Sequence, residues 1–295
     1  MKVKTMKMKK VFTISMLTTL FSTITLALPH WMVQASNQPN LSQMTQYHSD
    51  QQLIPARQFK GNVIEVTTTA DVLAVDNQCS LREAIISANS NPVLGPVGEC
   101  AFGKNNQTDV IVLAEGATYP LMLDGLDFTA QVGDLDISDD PVSLDVRIVV
   151  ANNGTATIDA KAINDRIFQI FDAHVSMTGV TLRNGSADVG GAIVSNGVVT
   201  LTNSSVISNH ATSTGGGISS GALTLINSTV ISNVAEGDGG GIYVDDTNAP
   251  VLLKQSQLVG NKSANGGNGA GMYIKDTITT TIRCDLNVTI MMSTI

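Results

Sequence analysis

Apolar residues in the second half of this chain come in short alternating runs, and the runs repeat. Val199/Leu201 returns as Leu223/Leu225 and again as Val251/Leu253. Five residues beyond the last member of each pair stands another apolar position: Val206, Val230 and Leu258. Alternation of this kind is the period of a strand, with one face turned inward. Between the runs lie polar turn signals. A glycine-rich element recurs as "GGAI", "GGGI", "GGGI" and "GAGM", ending at Ile193, Ile218, Ile242 and Met272. An asparagine closes each unit: Asn184, Asn209, Asn233 and Asn261, spaced by 25, 24 and 28 residues.

A unit of two dozen residues with three short apolar runs cannot bury its own apolar face. Stacking units along an axis buries it continuously, with neighbouring strands about 4.8 Å apart. The pattern therefore predicts an all-β chain folded as a parallel β-helix with three strands per rung. Leucine-rich repeats have different leucine and asparagine spacing, and a propeller blade needs more residues. Glycine suits the tight corners. The repeated asparagines suit a turn ladder, hydrogen-bonded from rung to rung. The adjacent pairs Val206/Ile207, Val230/Ile231 and Leu258/Val259 leave a choice. Either the strand bends and both rows go inside, which is the preferred reading, or the second row forms an exposed aliphatic stripe.

The first half has a different pattern. Ser80-Leu-Arg-Glu83 has capping-box spacing, and Leu81, Ala84, Ile85 and Ala88 fall on one helical stripe. A short helix ending at "NSNP" is predicted, placed as a lid before the strands "DVIVL" and "RIVVA".

The N-terminus changes the picture of compartment. Five lysines without an acid precede the apolar stretch "VFTISMLTTLFSTITLAL", and "VQA" ends at Ala35. This reads as a cleaved secretory signal over residues 1–35. Residues 36–61 read as a polar tether, 62–140 as an N-terminal cap with the helix and first strands, and 141–295 as rungs. The full chain carries 17 basic and 25 acidic residues. Loss of the five leader lysines leaves 12 against 25, a net charge of −13. Nucleic acid and anionic membrane are poor partners for such a chain, and no membrane insertion of the mature chain is expected. In an oxidising compartment Cys79 and Cys100 are expected to pair, with Cys284 left over.

"CSLREAI", Cys79 to Ile85, resembles the motif of the CSLREA-domain proteins, and "GDLDI" and "VTLRNG" resemble further pieces of that pattern. The resemblance covers about residues 62–275. It implies a secreted or surface-displayed bacterial protein whose N-terminal segment precedes a right-handed parallel β-helix of the pectin-lyase-like kind. The glycine-rich units are also similar to repeats of polymorphic outer membrane proteins, though their Phe-x-x-Asn stands here as "VISN". The last stretch, "RCDLNVTIMMSTI", leaves the repeat grammar, and a truncated C-terminus is expected.

Glycan-cleaving chemistry on such a fold needs convergent acids. A hydrolase places two carboxylates on either side of a bond. A lyase holds Ca²⁺ with acids and adds a base. The acidic clusters are Asp134, Asp136, Asp139 and Asp140, then Asp245 and Asp246. Adjacent acids diverge on a strand, so solvated turn acids are the expected reading. The "GDLDISDD" segment is a weak Ca²⁺ candidate, because it lacks EF-hand spacing and the nonapeptide calcium repeat. No catalytic residue, metal or other cofactor is assigned. His174 and His210 read as surface residues, and Gly239 lies in no phosphate loop, since no Gly-Lys-Ser/Thr follows. The expected role is binding, adhesion or structure at a cell surface, with a glycan or a host or cell-surface protein as partner. A polysaccharide lyase or hydrolase is the competing expectation, on fold analogy alone.

Overall fold

The computed structural model describes residues 61–89, 99–104, 107–138, 144–245 and 250–275, with the backbone alone of 282–284 and 289–290. The signal segment, the tether up to residue 60, Asp139, Asp140 and Asp246 lie outside the described residues. Among the described residues no helix is long and apolar enough to cross a membrane.

Parallel strands stack into three sheets of 12, 7 and 4 strands. The first sheet runs Asn62–Glu65, Asp109–Leu113, Asp145–Val150, His174–Thr178, Ile193–Thr202 and Ile218–Ile226, each paired in parallel with the next. The second starts at Thr118–Pro120 and continues through Ala156–Asp159, Val180–Arg183, Ser205–Ile207, Thr229–Ile231 and Gln257–Val259. The third begins only at Ser186–Val189, and His210–Thr214, Val234–Ala235 and Lys262–Ser263 extend it. Successive turns of chain thus lie one above another. The fold is a parallel β-helix of about 5 turns.

Its interior is a set of columns. Ile64, Ile111, Ile148, Met177, Leu201, Leu225 and Leu253 pair in sequence along the first sheet, all buried. Tyr119, Ile158, Leu182, Val206, Val230 and Leu258 do the same along the second. The repeated letters of the sequence are these columns, since each rung must offer its neighbour a matching side chain.

Each corner has its own chemistry. Gly215 and Gly239 adopt φ of +67° and +69°. The glycine after the first of them is required by space: a Cβ on Gly216 would lie 2.3 Å from the Gly240 carbonyl oxygen of the next rung. At another corner, Asn209, Asn233 and Asn261 are buried and form a ladder. The Asn209 amide donates to Asn233 Oδ1 at 2.9 Å, and the Asn233 amide donates to Asn261 Oδ1 at 3.0 Å.

Two expectations require correction. Asn184 is not in the ladder. It occupies the preceding, left-handed position (φ 63°), shared by Ser208, Ser232 and Gly260, and its side chain donates to Asp159. The ladder position in that rung is Gly185, whose N–H donates to Asn209 Oδ1 at 2.8 Å. Nor does the second-sheet strand bend. Val206, Val230 and Leu258 go inside, whereas Ile207, Ile231 and Val259 form a half-buried outward row in register. Straight three-residue strands alternate strictly, so adjacent residues take opposite faces.

At the N-terminal side, helix α1 (Leu81–Asn89) packs on Asp109–Leu113 and Leu135–Ser138. Its capping box is formed in both directions. Ser80 N–H donates to Glu83 Oε2 at 2.9 Å, and Glu83 N–H donates to Ser80 Oγ at 3.2 Å. The Cys79–Cys100 disulfide, with Cα atoms 4.8 Å apart, closes a loop around this helix. Its reduction is expected to cost about 3 kcal/mol through the freed unfolded chain. A denaturant midpoint measured with and without reductant checks this, and equal midpoints would contradict it.

Candidate functional site

Helix α1 is buried on nearly every side, its arginine included. Arg82 is among the largest fully buried side chains of the protein. Its Nε and Nη2 donate to the two carboxylate oxygens of buried Asp71 at 2.6 and 3.0 Å. Nη1 donates to the carbonyls of Ala130 and Asp134 at 3.0 and 3.2 Å, and Nη2 to that of Gly133 at 2.9 Å. All five guanidinium N–H groups are thereby used. Asp71 Oδ2 also accepts from the N–H groups of Met122 and Leu123. The pair thus grips both ends of the segment 121–134.

The far end of α1 holds the adjoining strand. Asn89 donates to the Asp136 carbonyl at 2.6 Å and accepts from Ser138 N–H at 3.2 Å. These are the backbone groups that Leu135–Ser138 turns away from its one sheet partner, Phe168–Phe171. One side chain therefore occupies what would be an open strand edge.

What this framework displays is apolar. Leu126 is 89 % exposed, Phe128 72 % and Met122 56 %. Phe128 packs edge-on against Phe171, with ring centroids 6.3 Å apart. Large apolar side chains on a segment stitched down at both ends are held exposed at a hydration cost.

Beneath the same segment lies an acidic nest. Asp134, Asp136 and Asp165 are buried, and Asp127 turns one oxygen inward. Burial pushes the Asp134 carboxyl up to about 8, with Asp136 and Asp165 adding to the effect and Arg166 opposing it. Burial pushes Asp136 up to about 6 and raises Asp165 as well. Asp134 and Asp136, singled out in the sequence, are thus together but enclosed. They cannot stand on either side of a solvent-borne glycosidic bond as a hydrolase requires. Among the described residues no three acidic, histidine or cysteine side chains form a metal cage.

The second acidic candidate is far along the sequence, in the rungs near Tyr243. Asp245 is ion-paired with Lys275 at 2.7 Å, both exposed. Tyr243 and Tyr273 stack beside them with centroids 5.6 Å apart, so the rung register repeats on the outer surface too. His210 lies 3.6 Å from Glu236, half in solvent.

No family model matches the chain, and no curated protein matches it. Among solved structures it is similar to a pectate lyase. The crystal structure of pectate lyase Pel9A aligns with a TM-score of 0.46 at 16 % identity over 78 % of this chain. The alignment spans 63 % of the pectate lyase chain.

Arg82, Asp71, Asp127, Asp165 and Arg166 were not singled out in the sequence. Arg82 carried a usable signal: it lies inside the capping box, directly after the first residue of the apolar stripe. Asp71 and Asp165 carried none, since each is one acid in an irregular segment. A second buried ladder, Ser204–Ser228–Ser256, also went unnoticed, although it has the same 24- and 28-residue spacing.

Proposed function

We propose that the protein is exported and serves a binding role, adhesive or structural, with the β-helix as a stiff stem and segment 121–133 of the cap as the contact. The observation that carries this reading is the exposure of Leu126, Phe128 and Met122 on a segment pinned by Arg82 and Asp71. Asp124 and Asp127 flank Leu126, and the chain carries net charge −8 as a whole. The fitting partner is a cell-surface protein with an apolar pocket rimmed by lysine or arginine. The leader-like N-terminus and the "CSLREAI" heptapeptide support export.

Fluorescently labelled protein is expected to bind intact cells and to lose at least about tenfold in affinity when Leu126 and Met122 both become serine, each being worth about 1–2 kcal/mol. Both side chains are exposed, so the melting temperature should stay within about 2 °C. Protease treatment of the cells should abolish the binding. Retention of full affinity by the double variant would overturn the reading. So would depolymerisation of acidic or neutral polysaccharide, with or without Ca²⁺, that disappears in D245N or D246N.

A further inference from the structure

We propose that segment 121–133 is latched by protons shared within the acidic nest beneath it, so that it is held down in mild acid and released in mild alkali. This rests on the binding reading only for its use; the latch itself is a property of the fold.

The geometry is one of too many carboxylates for one cation. Asp127 belongs to the displayed segment, Asp134 and Asp136 to its exit, and Asp165 and Arg166 to the stretch leading into Phe168–Phe171. Among the described residues Arg166 is the single cation facing them, and most of it is engaged elsewhere. Its Nη2 donates to Asp188 at 2.8 Å and its Nη1 to Gln169. The remaining Nε lies 3.9 Å from Asp134 and 3.8 Å from Asp165, too far to hydrogen-bond either. Arg82 meets the nest only through the Asp134 carbonyl, its charge being matched by Asp71. Three carboxylate oxygens, Asp127 Oδ1, Asp134 Oδ2 and Asp136 Oδ1, are buried without a hydrogen-bond partner, and so is Arg166 Nε. Four carboxylates against a shared guanidinium would repel one another across a dry interior. A proton on one of them removes a charge and supplies a donor for an orphaned oxygen.

The same carboxylates hold the segment in place. Asp136 Oδ2 accepts from Ala130 N–H at 3.0 Å. Asp127 Oδ2 accepts from Gln131 N–H at 2.9 Å and from the Thr129 hydroxyl at 2.6 Å. Repulsion in the nest therefore acts directly on the turn that carries Phe128. The sign follows from burial. Carboxyls raised in the folded state bind protons that the unfolded chain does not, so the stabilisation is greatest near pH 4 and is lost as pH rises through about 6 and about 8.

Hydrogen exchange of peptides covering 121–133, corrected for the intrinsic pH dependence, tests this on the whole protein without any partner. Protection is expected to fall roughly tenfold or more between pH 5.5 and pH 8.5, as loss of one bound proton over one or more pKa units requires. In Asp134→Asn, which keeps the side-chain shape without the charge, protection should stay high at both values. Asp188→Asn, at the exposed end of Arg166, should leave the fall in place. Equal protection of the parent protein at both values would overturn the latch, as would an undiminished fall in Asp134→Asn. Neither result bears on cell binding, so failure of the latch and failure of the contact surface are read separately.

Discussion

Replacing Arg82 by alanine is expected to destabilise the protein by about 3–5 kcal/mol, among the largest losses any single substitution here should cause. The side chain satisfies one buried carboxylate and three buried carbonyls at once. Its removal leaves Asp71 as an uncompensated charge in the interior and strands the carbonyls of Ala130, Gly133 and Asp134. Lysine should recover less than half of the loss. It has three donors where five are used, and it cannot reproduce the fork on Asp71. Asp71→Asn alone should also be costly, since Met122 and Leu123 N–H groups share that carboxylate. Combined with Arg82→Met it should cost clearly less than the sum of the single changes, because no charge is then left behind. Denaturant midpoints at unchanged m-value measure these variants, with Arg82→Met alone as the fifth. An alanine variant within about 1 kcal/mol of the parent would show that the pair is not what fixes the cap.

The heptapeptide "CSLREAI" acquires a physical reading from this. Cys79 ties the helix start to Cys100, and Ser80 and Glu83 cap it reciprocally. Arg82 binds the "VGDLD" stretch, and Leu81, Ala84 and Ile85 are core. The two sequence elements are therefore halves of one joint. Helix, cap and disulfide could be foreseen because their signals are local: spacing within four residues, and two cysteines before a third far away. The joint could not. Its halves are about 50 residues apart, and nothing in a main-chain carbonyl announces itself in the letters.

The rungs were legible for a related reason. Every internal column demands like residues at a fixed interval, so the periodicity of Leu201, Leu225 and Leu253 is the fold written out. Residue identity misleads where the register differs from the spacing of like letters: Asn184 shares its identity with the ladder asparagines, but pairing Leu182 with Val206 places Gly185 at the ladder position instead. The adjacent pairs misled because hydrophobicity alone does not say which face a residue takes, while alternation within the strand does. The apolar segment of the cap lay beyond sequence reasoning altogether. Leu126 and Phe128 look like core until the backbone shows them turned to solvent, on a segment whose two ends are bonded to the buried Arg82–Asp71 pair.

Asn233→Ala is the second large effect expected, about 4 kcal/mol. The Asn233 side chain makes four hydrogen bonds within the stem. Its Oδ1 accepts from Asn209 N–H at 3.0 Å and from the Asn209 amide at 2.9 Å, and its amide donates to the Val206 carbonyl at 2.9 Å and to Asn261 Oδ1 at 3.0 Å. All of this lies where no solvent enters. Alanine leaves the Asn209 backbone N–H without a partner, takes one of two acceptors from the Asn209 side-chain amide, which keeps the Leu182 carbonyl, and removes the side-chain donor on the Val206 carbonyl. It also removes one of the two amide donors on Asn261 Oδ1. Each stranded polar group costs about 1–3 kcal/mol, and neighbours in a ladder strengthen one another. Aspartate should be nearly as damaging, since it keeps the acceptor but loses both donors and faces Asn261 Oδ1 with a negative charge. Asn227→Ala supplies the contrast. Its amide also bonds up a column, to Asn203 Oδ1 at 2.6 Å, but in contact with water, which can replace the lost partner. That variant should cost under about 1 kcal/mol. Thermal or denaturant unfolding of the three variants decides the point. Equal costs for Asn227→Ala and Asn233→Ala would mean that burial of the ladder is not what stiffens the stem.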